Sequence, residues 1–98
     1  MKIIDDAIRK GTIEEFAAEH GLTMVVRERT FPFGDPCRFY AEFDGAEIMD
    51  RGLLFSEFGN GSTKEDAIKA YAEKISLKQI VVGAYTQDRR EIDVWRLE

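Results

Sequence analysis

Gly59-Asn60-Gly61-Ser62-Thr63-Lys64-Glu65-Asp66-Ala67-Ile68-Lys69-Ala70-Tyr71-Ala72-Glu73-Lys74-Ile75 carries a clear helical period. Ala67, Ile68, Tyr71, Ala72 and Ile75 recur at i, i+3 and i+4 and form the stripe to be buried. Lys64, Glu65, Lys69, Glu73 and Lys74 cover the solvent side. Ser62 or Thr63 is the expected cap, and Ser62 with Glu65 forms a capping-box pattern. The glycines at 59 and 61 read as the turn that ends a preceding sheet. A glycine loop that opens a helix can hold an anion. This one lacks phosphate-loop spacing and the terminal Gly-Lys-Ser/Thr, so it reads as a structural turn.

Upstream of the helix the period changes to two. Leu22 to Thr30 alternates Met24, Val26 and Glu28 against Val25, Arg27 and Arg29, which is a strand. Phe31-Pro32-Phe33-Gly34-Asp35-Pro36 is a loop, because two prolines and a glycine do not sustain regular structure. Cys37 to Phe43 is a second strand, with Phe39, Ala41 and Phe43 facing one way and Tyr40 and Glu42 the other. Asp44-Gly45 is the dipeptide of a type I′ hairpin, so a third strand is expected from Ala46. It bends or breaks around Met49 to Gly52 and resumes from Leu53 to Phe58.

The flanks complete the pattern. Residues 2 to 10 place Ile3, Ile4, Ala7 and Ile8 on one helical face, stopped by Gly11. Thr12 begins another helix with Glu15 as its capping-box partner, then Ile13, Phe16, Ala17 and His20 at helical spacing, and Gly21 as C-terminal cap. Gln79 to Ala84 is a further strand, buried on both faces. Tyr85 to Arg90 turns the chain, and Glu91 to Leu97 sets Ile92 and Val94 against Asp93 and Trp95. The fold class is α+β, in the order α-β-β-β-α-β-β, as one domain with both helices on one face of an antiparallel sheet. Phe16, Phe39, Phe43, Tyr71 and Ile75 are expected to share its core.

Residues 12 to 75 resemble a double-stranded RNA-binding domain on that order and on the Gly59-to-Ala72 stretch. In that family Gly-x-Gly-x-Ser precedes a Lys-Lys-x-Ala-Lys helix start whose lysines grip phosphates. Here Lys64 matches a basic position, whereas Glu65 and Ile68 occupy the other two. The chain between Gly45 and Gly59 is also several residues longer than the family expects. The resemblance implies the scaffold rather than the phosphate grip, since a carboxylate in a lysine's place repels phosphate. Ala17 to Thr23 resembles the second helix and turn of a helix-turn-helix, but the β-branched run after it and Pro32 favour a strand there.

The runs Ile13 to Arg29, Cys37 to Asp44, Gly59 to Ile75 and Asp88 to Val94 look like small uncharacterised proteins of phages and prophages. That likeness implies a small acidic protein that acts by contact, inhibiting a host defence or nucleic-acid-binding protein by occupying its binding surface.

Charge points the same way. Fourteen basic and nineteen acidic residues give a net charge of −5. A generic polyanion binder needs a net positive face. A protein partner with a basic surface is therefore expected and nucleic acid disfavoured. One cysteine, Cys37, excludes an internal disulfide and fits a reducing compartment. No apolar stretch approaches the roughly 20 residues that span a bilayer, and the start of the chain lacks a signal-peptide core, so a cytoplasmic protein without membrane contact is expected.

Nothing in the sequence marks a catalytic residue, a metal site or a cofactor. His20 beside Gly21 reads as a helix-dipole partner, Cys37 as a structural thiol, and the carboxylates as outward surface groups. The expected function is non-catalytic binding. The loop rings of Phe31 and Phe33 either fold back on the core or meet a partner; if exposed, they form with Arg38 and Tyr40 a patch of hot-spot composition. Phe31, Phe33, Asp35, Arg38, Tyr40 and Glu42 are the candidate protein-binding residues. Trp95 beside Arg96 is a second aromatic candidate, on the outward side of an edge strand. The alternative is nucleic-acid binding on the same scaffold through Arg27, Arg29, Lys64, Arg89 and Arg90.

Overall fold

The computed structural model describes residues 10–29 and 38–98. In chain order it holds β1 (Lys10–Gly11), α1 (Ile13–His20), β2 (Met24–Glu28), β3 (Phe39–Phe43), β4 (Ala46–Asp50) and β5 (Leu53–Phe55). Then follow β6 (Gly59–Gly61), α2 (Lys64–Ile75), β7 (Gln79–Val82), β8 (Arg90–Asp93) and β9 (Arg96–Leu97). This is an α+β fold with two antiparallel sheets, β2-β3-β6 and β5-β4-β7-β8, and a parallel pair β1-β9. Among the described residues no helix is long and apolar enough to cross a membrane.

The helix α1 forms where local chemistry dictates. The Thr12 hydroxyl accepts from the amide of Glu15 at 3.1 Å, and the Glu15 carboxylate accepts from the amide of Thr12 at 3.3 Å. Gly21, in the left-handed conformation, closes the helix by donating to the carbonyl of Ala17. Of the two caps expected for α2, Thr63 serves. Thr63 accepts from the amide of Asp66 at 3.1 Å, and the Ser62 hydroxyl donates to the Asp66 carboxylate at 3.4 Å, so Ser62 and Glu65 do not form the box.

Asp44-Gly45 turns the chain without making a hairpin. β3 pairs with β2 and β6, whereas β4 pairs with β5 and β7. The turn steps from one sheet to the other and is fastened to both. Asp44 N donates to Thr23 O at 2.9 Å, and Gly83 N donates to Gly45 O at 3.1 Å. The hairpin sits instead at Arg51-Gly52, whose positive φ values of 52° and 79° suit a type I′ turn. The expected bend or break is thus a break with full reversal of the chain. The chain leaves through β3 and β4 and returns through β5 and β6, with residues 42–47 and 56–58 lying between the two paired stretches.

Gly59-Asn60-Gly61 is a strand, not the turn that ends the sheet. Its residues pair with Ala41, Tyr40 and Phe39 of β3. A Cβ at Gly59 would overlap the backbone N of Tyr71, and one at Gly61 the backbone N of Ala67. The glycines let the backbone of α2 lie directly on β6, and Asn60 between them points the other way.

Phe16, Phe43, Tyr71 and Ile75 are fully buried in one core with Ala41, Ala67 and Ile80, and Phe39 packs partly buried against it. Ile80 and Val81 are both fully buried, so β7 is covered on both faces. At the chain's end the alternation fails. Val94 and Trp95 lie between β8 and β9, both buried, with Val94 N donating to Lys78 O at 2.8 Å. Trp95 is therefore a core residue, edge-on to Phe16 at 5.0 Å, and not an outward aromatic. The helix expected over residues 2 to 10 lies outside the described residues except for Lys10, which is in β1 opposite Arg96.

Tyr71 makes the core sensitive to alkali. Burial pushes its phenol up from 10.0 to about 12; the nearby Glu42 charge adds to this, and the Phe43 backbone opposes it. A folded-state value above the unfolded one means the contribution is complete below about pH 10 and lost as pH rises through about 12. The loss should be on the order of 2–3 kcal/mol. Melting temperatures from pH 9 to pH 12 should fall less steeply for Tyr71→Phe than for the native chain; parallel curves would contradict this.

Candidate binding face

The register of β2-β3-β6 sorts the side chains into two sets. Met24, Val26, Phe39, Ala41 and Phe43 belong to the core side. Arg27, Tyr40 and Asn60 form a cross-strand row on the opposite side, with Glu42 beside it. Arg29 follows at the end of β2, where its amide donates to the carbonyl of Arg38 at 2.8 Å.

Arg29 organises this outward face. Its guanidinium carbon lies 5.1 Å from the centre of the Tyr40 ring and 5.9 Å from that of Phe58. Its Nη2 donates to Oδ1 of Asn60. The two rings meet edge to face with centroids 5.5 Å apart. Such stacking is worth about 0.5–1 kcal/mol at an exposed site, so it orients the group more than it stabilises the fold. Lys74, from α2, donates to the carbonyl of Phe58 at 2.9 Å and lies 3.3 Å from the Glu57 carboxylate.

Ion pairs border the cluster. Arg27 lies 3.7 Å from Glu42, and Arg38 lies 2.6 Å from Glu28. With Arg27 52% and Arg38 63% exposed, each pair contributes about 0–1 kcal/mol, and their main effect is to balance the charge of the face.

Of the sequence-derived binding residues, Tyr40 and Glu42 lie on this face, and Arg38 lies at its end, turned toward Glu28. Phe31, Phe33 and Asp35, like Cys37, lie outside the described residues. The alternative basic set is divided. Arg27 and Arg29 share the face, and Lys64 is the exposed first residue of α2. Arg90 opens β8 of the other sheet and Arg89 precedes it; Arg89 is 3.7 Å from Glu91, and Arg90 donates to the carbonyl of His20 at 3.1 Å. Phe58 and Asn60 were not singled out from the sequence. The period-two run Phe58-Gly59-Asn60-Gly61 is the signal that marks them, but its glycines resemble a turn.

Among the described residues no group of three or more His, Cys, Asp or Glu could hold a metal ion. No family model matches the chain, and no curated protein or solved structure does either.

Proposed function

We propose that this protein is a non-catalytic binding module and that a protein partner docks on the outward face of β2-β3-β6. The observation that carries this is the placement of Arg29 over Tyr40 and Phe58 with Asn60 holding its guanidinium. Tyrosine and arginine dominate the energetics of protein interfaces. Holding them in place before contact lowers the entropy lost on binding. The net charge of −5 favours a partner with a basic surface, whose approach it accelerates. The resemblance to small phage proteins supports the same reading, because covering a host protein's surface is a contact function.

Capture from host lysate, with and without nuclease, tests this. A discrete protein should be retained after nuclease treatment, and Tyr40→Ala should weaken its binding by at least about tenfold while the variant stays folded. Nuclease-sensitive capture would instead favour the nucleic-acid reading. That reading has its own check in a gel shift with a 20-base-pair RNA duplex at low salt. The protein should retain no more duplex than an acidic control; tight retention that falls steeply with added salt would count neutralised phosphates and contradict the proposal.

A further inference from the structure

The outer strands of the two sheets are guarded unequally. β2 carries Arg27 and Glu28, β8 carries Arg90, Glu91 and Asp93, and β6, Gly59-Asn60-Gly61, has no charge but no apolar side chain either. Charges at such edges discourage pairing with another chain. β5 is the outer strand beside β4 and reads Leu53-Leu54-Phe55, flanked by Gly52 and Ser56. It has no charge and no proline, and Leu53 and Phe55 are 61% and 44% exposed.

Its backbone is set for a further strand. In a two-residue hairpin the pair flanking the turn exchanges hydrogen bonds, and bonded pairs then alternate with unbonded ones. Asp50 with Leu53 and Ile48 with Phe55 are bonded pairs, and Met49 with Leu54 is not. The N–H and C=O of Leu54 therefore point away from β4, out of the sheet edge.

We infer that β5 pairs antiparallel with β5 of a second copy about a two-fold axis at Leu54. The charge order of Arg51-Gly52-Leu53-Leu54-Phe55-Ser56-Glu57 selects this occupant, because it is positive at one end, apolar in the middle and negative at the other. Reversed on itself about Leu54, it sets Leu54 against Leu54 as a bonded pair and Gly52 against Ser56. Each Leu53 meets a Phe55 in an unbonded pair, where side chains approach most closely. The turn carrying Arg51 comes beside Glu57 of the second copy, and symmetry repeats that contact. Glu57 has Lys74 at 3.3 Å, and Arg51 would add a second cation to it. This inference does not rest on the proposed binding face, which Glu57 borders.

Sedimentation equilibrium of the full chain over a wide concentration range tests it. The mass should rise from that of a monomer toward twice that value. Leu54→Pro removes an outward N–H that β4 does not use and should abolish the rise. Arg51→Glu, on an exposed turn, should raise the dissociation constant at low salt by at least about tenfold, and Arg51→Glu/Glu57→Arg should recover most of that loss. A monomer at every concentration would overturn the inference. So would a dimer whose dissociation constant Arg51→Glu leaves unchanged.

Discussion

Gly59→Ala is expected to destabilise the protein severely and to lower its urea midpoint far below that of the native chain. The new methyl would sit on the backbone N of Tyr71 and the carbonyl of Ala67, atoms that no rotamer change can move. Relief requires α2 to lift from β6, and α2 carries Ala67, Tyr71, Ala72 and Ile75 of the core. Overpacking a core costs 1–3 kcal/mol when side chains can yield, so a backbone clash should cost at least about 3 kcal/mol. That is a large part of the 5–15 kcal/mol that holds a typical domain together. Asn60→Ala, facing outward between the glycines, should cost only about 1 kcal/mol. Urea titrations of both variants check the contrast. A Gly59→Ala midpoint equal to that of the native chain would mean that α2 does not rest on β6 as described.

Phe43→Ala should be nearly as damaging. Phe43 is fully buried, meets Tyr71 edge to face at 5.5 Å and lies 6.1 Å from Phe16. Its removal opens a cavity where α1, β3 and α2 converge, and the cost should be about 3–5 kcal/mol. Phe16→Ala should cost a similar amount, since Phe16 also supports Trp95 and His20 at 5.0 and 4.6 Å. The two losses should not add, because the rings share one contact network. A calorimetric melt unchanged by either substitution would remove these rings from the core.

What could be read in advance depended on distance along the chain. The capping box of Thr12 and Glu15 and the cap at Gly21 are local, and they form as the residues indicate. The outward placement of Tyr40 and Glu42 follows from the period of two, which the register preserves. Glycines 59 and 61 misled because a glycine needed for a turn and one needed under a helix look alike until the helix is placed. Asp44-Gly45 misled for a related reason, since the same positive φ serves a hairpin and a step between sheets. Trp95 was misplaced because an irregular pair, Val94 and Trp95, interrupts the alternation and turns both side chains inward. The Arg29–Asn60 contact joins residues 31 apart, beyond the reach of any local pattern.

The direct test of the binding face is a photo-crosslinking map. A photoreactive amino acid replaces Tyr40 on the face in one sample and Tyr85, 86% exposed on the loop before β8, in another. Each protein is irradiated in nuclease-treated cell lysate, and covalent adducts are resolved by mass. Position 40 should yield a discrete protein adduct that excess unlabelled native protein competes away, and position 85 should not. Competable adducts from position 85 alone would place the contact surface elsewhere and contradict the assignment of the β2-β3-β6 face.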